Sequence, residues 1–426
     1  MIKKQTIYAF IVSIAINCFI VINLEYTATS YYKRIDLIPY TDYSFWILFG
    51  CLSFVMTKFN SGKSYLPSGI INATILITVV YPSFYYVYLS SYYNENEFLP
   101  KLIILLFSCY LFDFISTYRV ERNKISLPQL NKNQFEFLIA ISLVGCILIL
   151  TYYFSGIMSL DWSSMYDRRF QARDIFAANS FLRYGNAIFG GLLIPFGAMY
   201  AAMNRRISLF YLSILGGIVC FSAFGGKGVL LIPYVAYGVG YILKDKEFRN
   251  NYYFVSFLML IFFIFSSIDL IFSEIGLLNW YIFRRIFYVP AELTTQYLDY
   301  FSKNDLYYMS DSIFSFMTNI SNEYTKARLI GGVYYGSYLI NANTNMYAAA
   351  YGDFGVFGFL IVSCLASILA RCLNIIYLNK KAPIVLIYSL FVGLVWSQGA
   401  FHTSLLSNGV LVGIILFAFI PKSKVK

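Results

Sequence analysis

Long apolar runs separated by short polar connections occupy most of the chain. They fall at residues 7–24, 41–57, 69–90, 101–117, 135–154 and 185–203, then at 207–224, 229–243, 252–272, 345–371, 383–398 and 404–420. A helix needs about 20 residues to cross about 30 Å of hydrocarbon, and only helices and closed barrels satisfy their own backbone groups there. The runs are continuous rather than alternating, so the expected architecture is an all-α polytopic membrane protein of about twelve transmembrane helices. Met-Ile-Lys-Lys before the first run looks like a signal peptide. The run's length and the spans that follow make it the first transmembrane helix. Two stretches break the rhythm, residues 155–184 and residues 273–350. Both are read as loops of a single transmembrane domain covering residues 1–426, the second as one large extracytoplasmic loop.

Composition agrees with the pattern. A chain of 426 residues has room for two or three soluble domains, but 59% apolar residues, 12% charged residues and a mean hydropathy of +0.64 describe a membrane protein. The seven cysteines lie in or beside apolar runs without metal spacing, so they are packing residues and no disulfide framework is implied. The net charge of +11 comes with no basic cluster on a soluble face, which argues against nucleic acid. Its distribution across the bilayer explains it better. With both termini cytoplasmic, the inner connections hold 19 of the 32 cations against five acids, and the outer ones 13 cations against 16 acids. That is the positive-inside pattern.

Nine of those 13 outer cations sit in the two long stretches. Arg168, Arg169 and Arg173 lie in Asp167-Arg-Arg-Phe-Gln-Ala-Arg-Asp174, and Arg284, Arg285 and Arg328 in the large loop. Long loops translocate whatever their charge, or else these arginines bind an anion on the outer face. Gly225-Gly-Lys-Gly228 turns between two runs, and its Lys227 beside exposed amides forms an anion cradle or merely a tight turn. His402 is the sole histidine, a base near neutral pH or simply a packed polar residue. No Asp-x-Asp pair and no metal-ligand cluster occurs, so neither metal nor cofactor is expected. Asp311, Glu323, Glu292 and Asp353 are outer carboxylates that spacing does not rank. Tyr307, Tyr308, Tyr324, Tyr334, Tyr335 and Tyr338, with Trp280, Tyr281 and Tyr288, form a polar-aromatic surface suited to a carbohydrate.

Arg284-Arg285 with Pro290, Gly225-Gly-Lys-Gly228 and Asn343-Thr-Asn345 before Tyr351-Gly-Asp-Phe-Gly355 resemble the bacterial oligosaccharide repeat-unit polymerases of O-antigen and capsule synthesis (the Wzy type). The likeness covers nearly the whole chain as architecture, and the fold it implies is similar to that of lipid-linked-sugar (GT-C-like) glycosyltransferases. Relatives often carry Gly-Ser-Arg-Gly at the short turn; Lys227 gives up the bidentate phosphate fork of an arginine.

The resemblance implies glycosyl transfer between polyprenyl-pyrophosphate-linked oligosaccharides on the outer face of the bacterial cytoplasmic membrane. A chain-length regulator and a flippase are the further partners it implies. It makes Arg284, Arg285 and His402 the catalytic candidates. Arg168, Arg169, Arg173, Lys227, Arg328, Asn343 and Asn345 become contacts to pyrophosphate or sugar. The alternatives are an O-antigen ligase and a lipid-linked oligosaccharide flippase or transporter. A transporter predicts ionisable groups or broken helices at mid-membrane, and Asp113 and Asp269 fall near run ends instead.

Overall fold

A computed structural model describes residues 4–29, 43–61, 66–90, 93–120, 127–243, 251–272, 276, 278–312 and 314–422. Among the inner cations, Lys3, Lys63, Arg122, Lys124, Lys244, Lys246, Arg249, Lys424 and Lys426 lie outside these residues. The described chain is helical, with no strand. Among the described residues, seven helices are long and apolar enough to cross a membrane: Thr6–Thr27, Pro67–Leu89, Glu95–Thr117, Lys132–Phe154, Phe181–Asn204, Ile207–Phe224 and Val356–Lys380. Phe401–Ser407 and Val410–Ala418, bent by 57° at Gly409, add an eighth if they form one span. Four shorter apolar helices, Tyr43–Lys58, Gly228–Ile242, Leu258–Asp269 and Pro383–Gln398, occupy the remaining apolar runs. This is the make-up of a multi-pass membrane protein.

The chain folds as two compact units. One comprises Met1–Val120, Phe248–Asn374 and Ser389–Phe401, the other Glu121–Glu247, Ile375–Tyr388 and His402–Lys426. In the first unit Pro67–Leu89 is the central helix, wholly buried. Polar side chains join its helices where lipid leaves no water to do so. Asn374 donates to Ser68 Oγ and to the Ser116 carbonyl, each at 2.9 Å, and accepts from the Ser68 amide. In the second unit small residues let helices approach. A Cβ on Gly240 would meet the Met199 carbonyl at 2.7 Å, and one on Gly197 would meet Ser213 Oγ at 2.7 Å.

In three places a helix widens into a π turn just ahead of a proline. The segments are Leu76–Val80 before Pro82, Phe189–Leu193 before Pro195, and Asn279–Tyr288 before Pro290. Proline has no N–H to donate to the carbonyl four residues back. The amide just before it reaches five residues back instead: Tyr81 to Leu76, Ile194 to Phe189, Val289 to Arg284. The one-residue slip absorbs the missing bond, and such bulges frequent functional sites.

The span expected at 345–371 is not one helix. Met346–Phe354 and Val356–Lys380 are separated at Gly355, whose φ of +58° and ψ of −144° only glycine adopts readily. The membrane-crossing part begins after this break and runs on to Lys380. The 155–184 stretch also holds more structure than a loop, since Met165–Ala178 is a helix.

Candidate functional site

In the second unit, two motifs far apart in sequence meet. The helix Met165–Ala178 carries Arg168, Arg169 and Arg173 and packs on Ile207–Phe224, whose end turns at Gly225 with φ +67°. Arg169 Nη2 donates to the Gly225 carbonyl at 3.2 Å. A Cβ at Gly225 would lie 2.6 Å from the Met165 carbonyl, so only glycine allows the turn to sit against the helix start. The segment before the helix is tied down by the Ser159 amide donating to the Ser222 carbonyl at 3.1 Å and by Trp162 against Phe221, 5.0 Å between rings.

Arg168 is 3% exposed. Its Nη1 donates to the Asp161 carbonyl at 2.8 Å and to Ser164 Oγ at 2.6 Å, and its guanidinium lies over Phe221 at 5.6 Å. Nε and Nη2 have no hydrogen-bond acceptor among the described residues. Buried donors are nearly always paired, so a guanidinium with two N–H-bearing nitrogens unspent invites an acceptor of its own. Ser163 hydrogen bonds hold the Asp161 carboxyl below the usual carboxylate range. Arg169 is half-buried over Tyr166 and Arg173 exposed over Phe170, at 5.4 and 5.3 Å. Lys227 opens the helix Lys227–Leu243; its side chain lies outside the described residues. His402 is half-buried in the first turn of Phe401–Ser407.

In the first unit, Arg284 and Arg285 occupy the π-helical segment ahead of Pro290. Asn279 at its start is anchored to the first helix: it donates to Asn23 Oδ1 at 3.0 Å and accepts from Thr27 Oγ1 at 2.9 Å. Arg284 is half-buried with its guanidinium 4.2 Å from the Trp280 ring centroid, and Arg285 is exposed. The segment 289–354 beyond them is a folded helical subdomain rather than an open loop.

At its centre Lys326, 4% exposed, bridges Asp311 at 2.5 Å and Asp353 at 2.6 Å. The Lys326 amide also donates to Asp311 at 2.8 Å. Burial raises the Asp353 carboxyl above its ordinary value, with Lys326 pulling the other way. Gly352 makes room, since a Cβ there would stand 2.9 Å from Lys326 Cδ. Asp353 further holds the Met309 amide at 2.8 Å. Tyr308 and Met309 are both left-handed, with φ +47° and +65°. That conformation costs roughly 1–2 kcal/mol per non-glycine residue, and bonds from the Tyr307 and Tyr308 amides to the Gly352 and Asp353 carbonyls help fix it.

This strained turn forms one wall of a cavity of about 640 Å³. Tyr307, Tyr308, Tyr324 and Tyr338 of the expected aromatic surface line it, and Tyr300 joins them. The other expected aromatics do not line it: Tyr281 is exposed and Trp280 lies against Arg284. Tyr288 is fully buried, Tyr334 donates to Asp299 at 2.6 Å, and Tyr335 accepts from Gln296 at 3.2 Å.

Asn345 is the clearest departure from the expected sugar contacts. It is completely buried, caps the Tyr347 and Ala348 amides at 3.0 Å and donates to Thr294 Oγ1 at 2.6 Å. It is a helix cap whose bonding groups are consumed by the fold. Asn343 and Arg328 are exposed. Lys326, absent from the expected site, is the cation at the subdomain's core. Its two partners lie 15 and 27 residues away, so no local spacing signals the pairing.

Among the described residues no group of three or more His, Cys, Asp or Glu is placed to hold a metal. Against protein-family models, curated proteins and solved structures, the chain matches none.

Proposed function

We propose that the protein polymerises polyprenyl-pyrophosphate-linked oligosaccharide repeat units into a surface polysaccharide, O-antigen or capsule, by glycosyl transfer at the outer face of the bacterial cytoplasmic membrane. The proposal includes twelve spans, both termini cytoplasmic, and a GT-C-like arrangement. In the reaction the acceptor hydroxyl attacks the anomeric carbon of the donor glycan. The bond from that carbon to the pyrophosphate oxygen breaks, lipid pyrophosphate leaves, and the hydroxyl proton passes to a base.

The observation that carries this reading is the convergence of Arg168 and Arg169 with the Gly225 turn. Two stretches singled out separately as anion cradles are one structure, with the Arg169–Gly225 bond between them and unspent N–H groups on a buried guanidinium. A leaving pyrophosphate at a membrane surface calls for such charge-assisted donors. Arg284 and Arg285 are assigned the same work in the first unit. His402 is assigned the acceptor proton.

The test is a gel of surface glycans from a deletion strain, complemented with wild type, Arg168→Ala/Arg169→Ala or Arg284→Ala/Arg285→Ala. The expected outcome is collapse of the ladder to a single repeat unit on deletion, rescued by wild type and by neither double variant at equal expression. Complete loss of surface glycan on deletion would instead mark ligation or flipping, and the polymerase reading would fall.

A further inference from the structure

The cavity between Tyr300 and Tyr338 has a definite charge character. Its lining carries two carboxylates, Asp305 and Glu323, and two amides, Asn304 and Asn322, and none of the lining residues is Lys or Arg. Behind the wall Lys326 lies 5.5 Å from the Tyr307 ring centroid with its charge met by Asp311 and Asp353. Lys303 beside Asn304 is paired with Asp299 at 2.6 Å, and Arg328 beside Leu329 is exposed. The buried Lys326 trio holds one positive and two negative charges, so the wall as a whole is acidic. Ligand cavities run from about 300 to 1,000 Å³, and this one, at about 640 Å³, falls well inside that range.

Tyr308 and Tyr338 present their rings, Tyr308 at 47% exposed, while Tyr307 is buried in the wall. Tyr324 and Tyr338 stack with ring centroids 4.4 Å apart and planes at 23°, and Tyr338 is 44% exposed. Tyr307 donates to the Tyr324 carbonyl at 3.0 Å, which fixes the two sides of the cavity to each other, and Asn322 donates to Ser310 at 2.6 Å. A rigid tyrosine-lined cavity with amides and carboxylates at its rim fits the alternating C–H faces and hydroxyl edges of a sugar ring. Carboxylates accept hydrogen bonds from hydroxyl or ammonium groups and repel other carboxylates and phosphates.

We propose that this cavity is a glycan subsite selective for neutral or amino sugars, and that it excludes uronic acids and phosphorylated units. The proposal rests on the polymerase reading for its place in a reaction: it would hold the repeat unit's sugars while Arg284 and Arg285 of the same unit hold pyrophosphate. It assigns the two chemistries to different parts of the molecule, sugar to the acidic tyrosine cavity and anion to the guanidinium groups.

The experiment uses full-length protein in detergent and three fluorescently labelled tetrasaccharides: chitotetraose as neutral, a glucosamine tetramer as cationic and a galacturonic acid tetramer as anionic. Binding is read as anisotropy. Saturable binding is expected for the first two, with the anionic tetramer at least about tenfold weaker, a difference of about 1.4 kcal/mol. Tyr338→Ala, at an exposed position that does not threaten folding, and Tyr324→Ala should each weaken chitotetraose by about tenfold. Asp305→Asn/Glu323→Gln should bring the galacturonate tetramer to within about twofold of chitotetraose. Equal or tighter binding of the galacturonate tetramer, no saturable binding of either other tetramer, or indifference to Tyr338→Ala would each overturn the proposal. Because binding is read without turnover, a failed glycan ladder sinks the polymerase reading alone, and failed discrimination sinks the subsite alone.

Discussion

Lys326 shows how a single side chain organises the long polar segment. It sits almost wholly out of solvent between two carboxylates, and both depend on it. Removing one partner of a buried ion pair costs about 3–5 kcal/mol, because the charge left behind has nothing to offset its lost hydration. Lys326→Met should therefore lower stability by about that much, read as thermal unfolding of the purified protein. The pH dependence follows from Asp353. Its folded-state pKa already lies above the ordinary value, chiefly from burial. A raised carboxyl favours the folded state in acid and loses that contribution as pH rises through its folded value. Without Lys326 the upward push is unopposed, so the variant's deficit should be smaller at pH 5 than at pH 8. A deficit that grows on acidification would show that Asp353 is not held as described. None of this was legible in the sequence, where Asp311, Glu292 and Glu323 between apolar runs and Asp353 at the start of one are acids that spacing does not rank. What decides among them is long-range placement: Asp353 meets Lys326 because Gly352 clears space for it, and Asn345 is a cap because Thr294 comes up beside it.

Helices were the legible part, since hydrocarbon allows few alternatives to them and the apolar runs mark their places. Their irregularities were less so. The break at Gly355 falls inside a single expected run, two residues after Asp353, and its geometry is visible only in a backbone angle. The π turns carry a signal in sequence, a proline inside a helix, but a proline alone does not separate a kink from a slipped register. At Pro290 that slip sets the direction of the arginine pair. Asn279 fixes one end of the segment to Asn23 and Thr27, while Val289–Lys303 fixes the other through its packing on Met346–Phe354. Pro290→Ala restores the missing N–H, so the bulge can close into regular α-helix. Closing it removes one residue of slack, about 100° of rotation between the two ends. The expected result is a protein that melts no lower than wild type yet makes shorter polymer in the complemented deletion strain. A full-length ladder would show that the direction of Arg284 and Arg285 is immaterial.

At the scale of the whole molecule, the second unit supplies an internal check on which side faces the cytoplasm. Connections assigned inside from their charge gather at one end of it. Lys132, Ala382 and Lys422 line a common cavity with Asn204, Arg206 pairs with Glu136 at 2.9 Å, and Lys380 donates to the Pro128 carbonyl at 2.7 Å. Arg205 and Lys381, both left-handed at their helix ends, lie in the same connections. These are short links, for which the positive-inside bias is strongest. The links assigned outside are joined separately, where Ser159 bonds Ser222 and Arg169 bonds Gly225. Orientation follows if bacterial alkaline phosphatase, which is active only outside the cytoplasm, is inserted after Ile320 and, in a separate fusion, after Arg205, with green fluorescent protein at Lys426. Phosphatase activity is expected at Ile320 and not at Arg205, with fluorescence at the C-terminus. The reverse pattern would put the arginine helix and the tyrosine cavity in the cytoplasm. Polymerisation at the outer face would then be impossible whatever the chemistry of either site, so this reporter result constrains the function before any substrate is known.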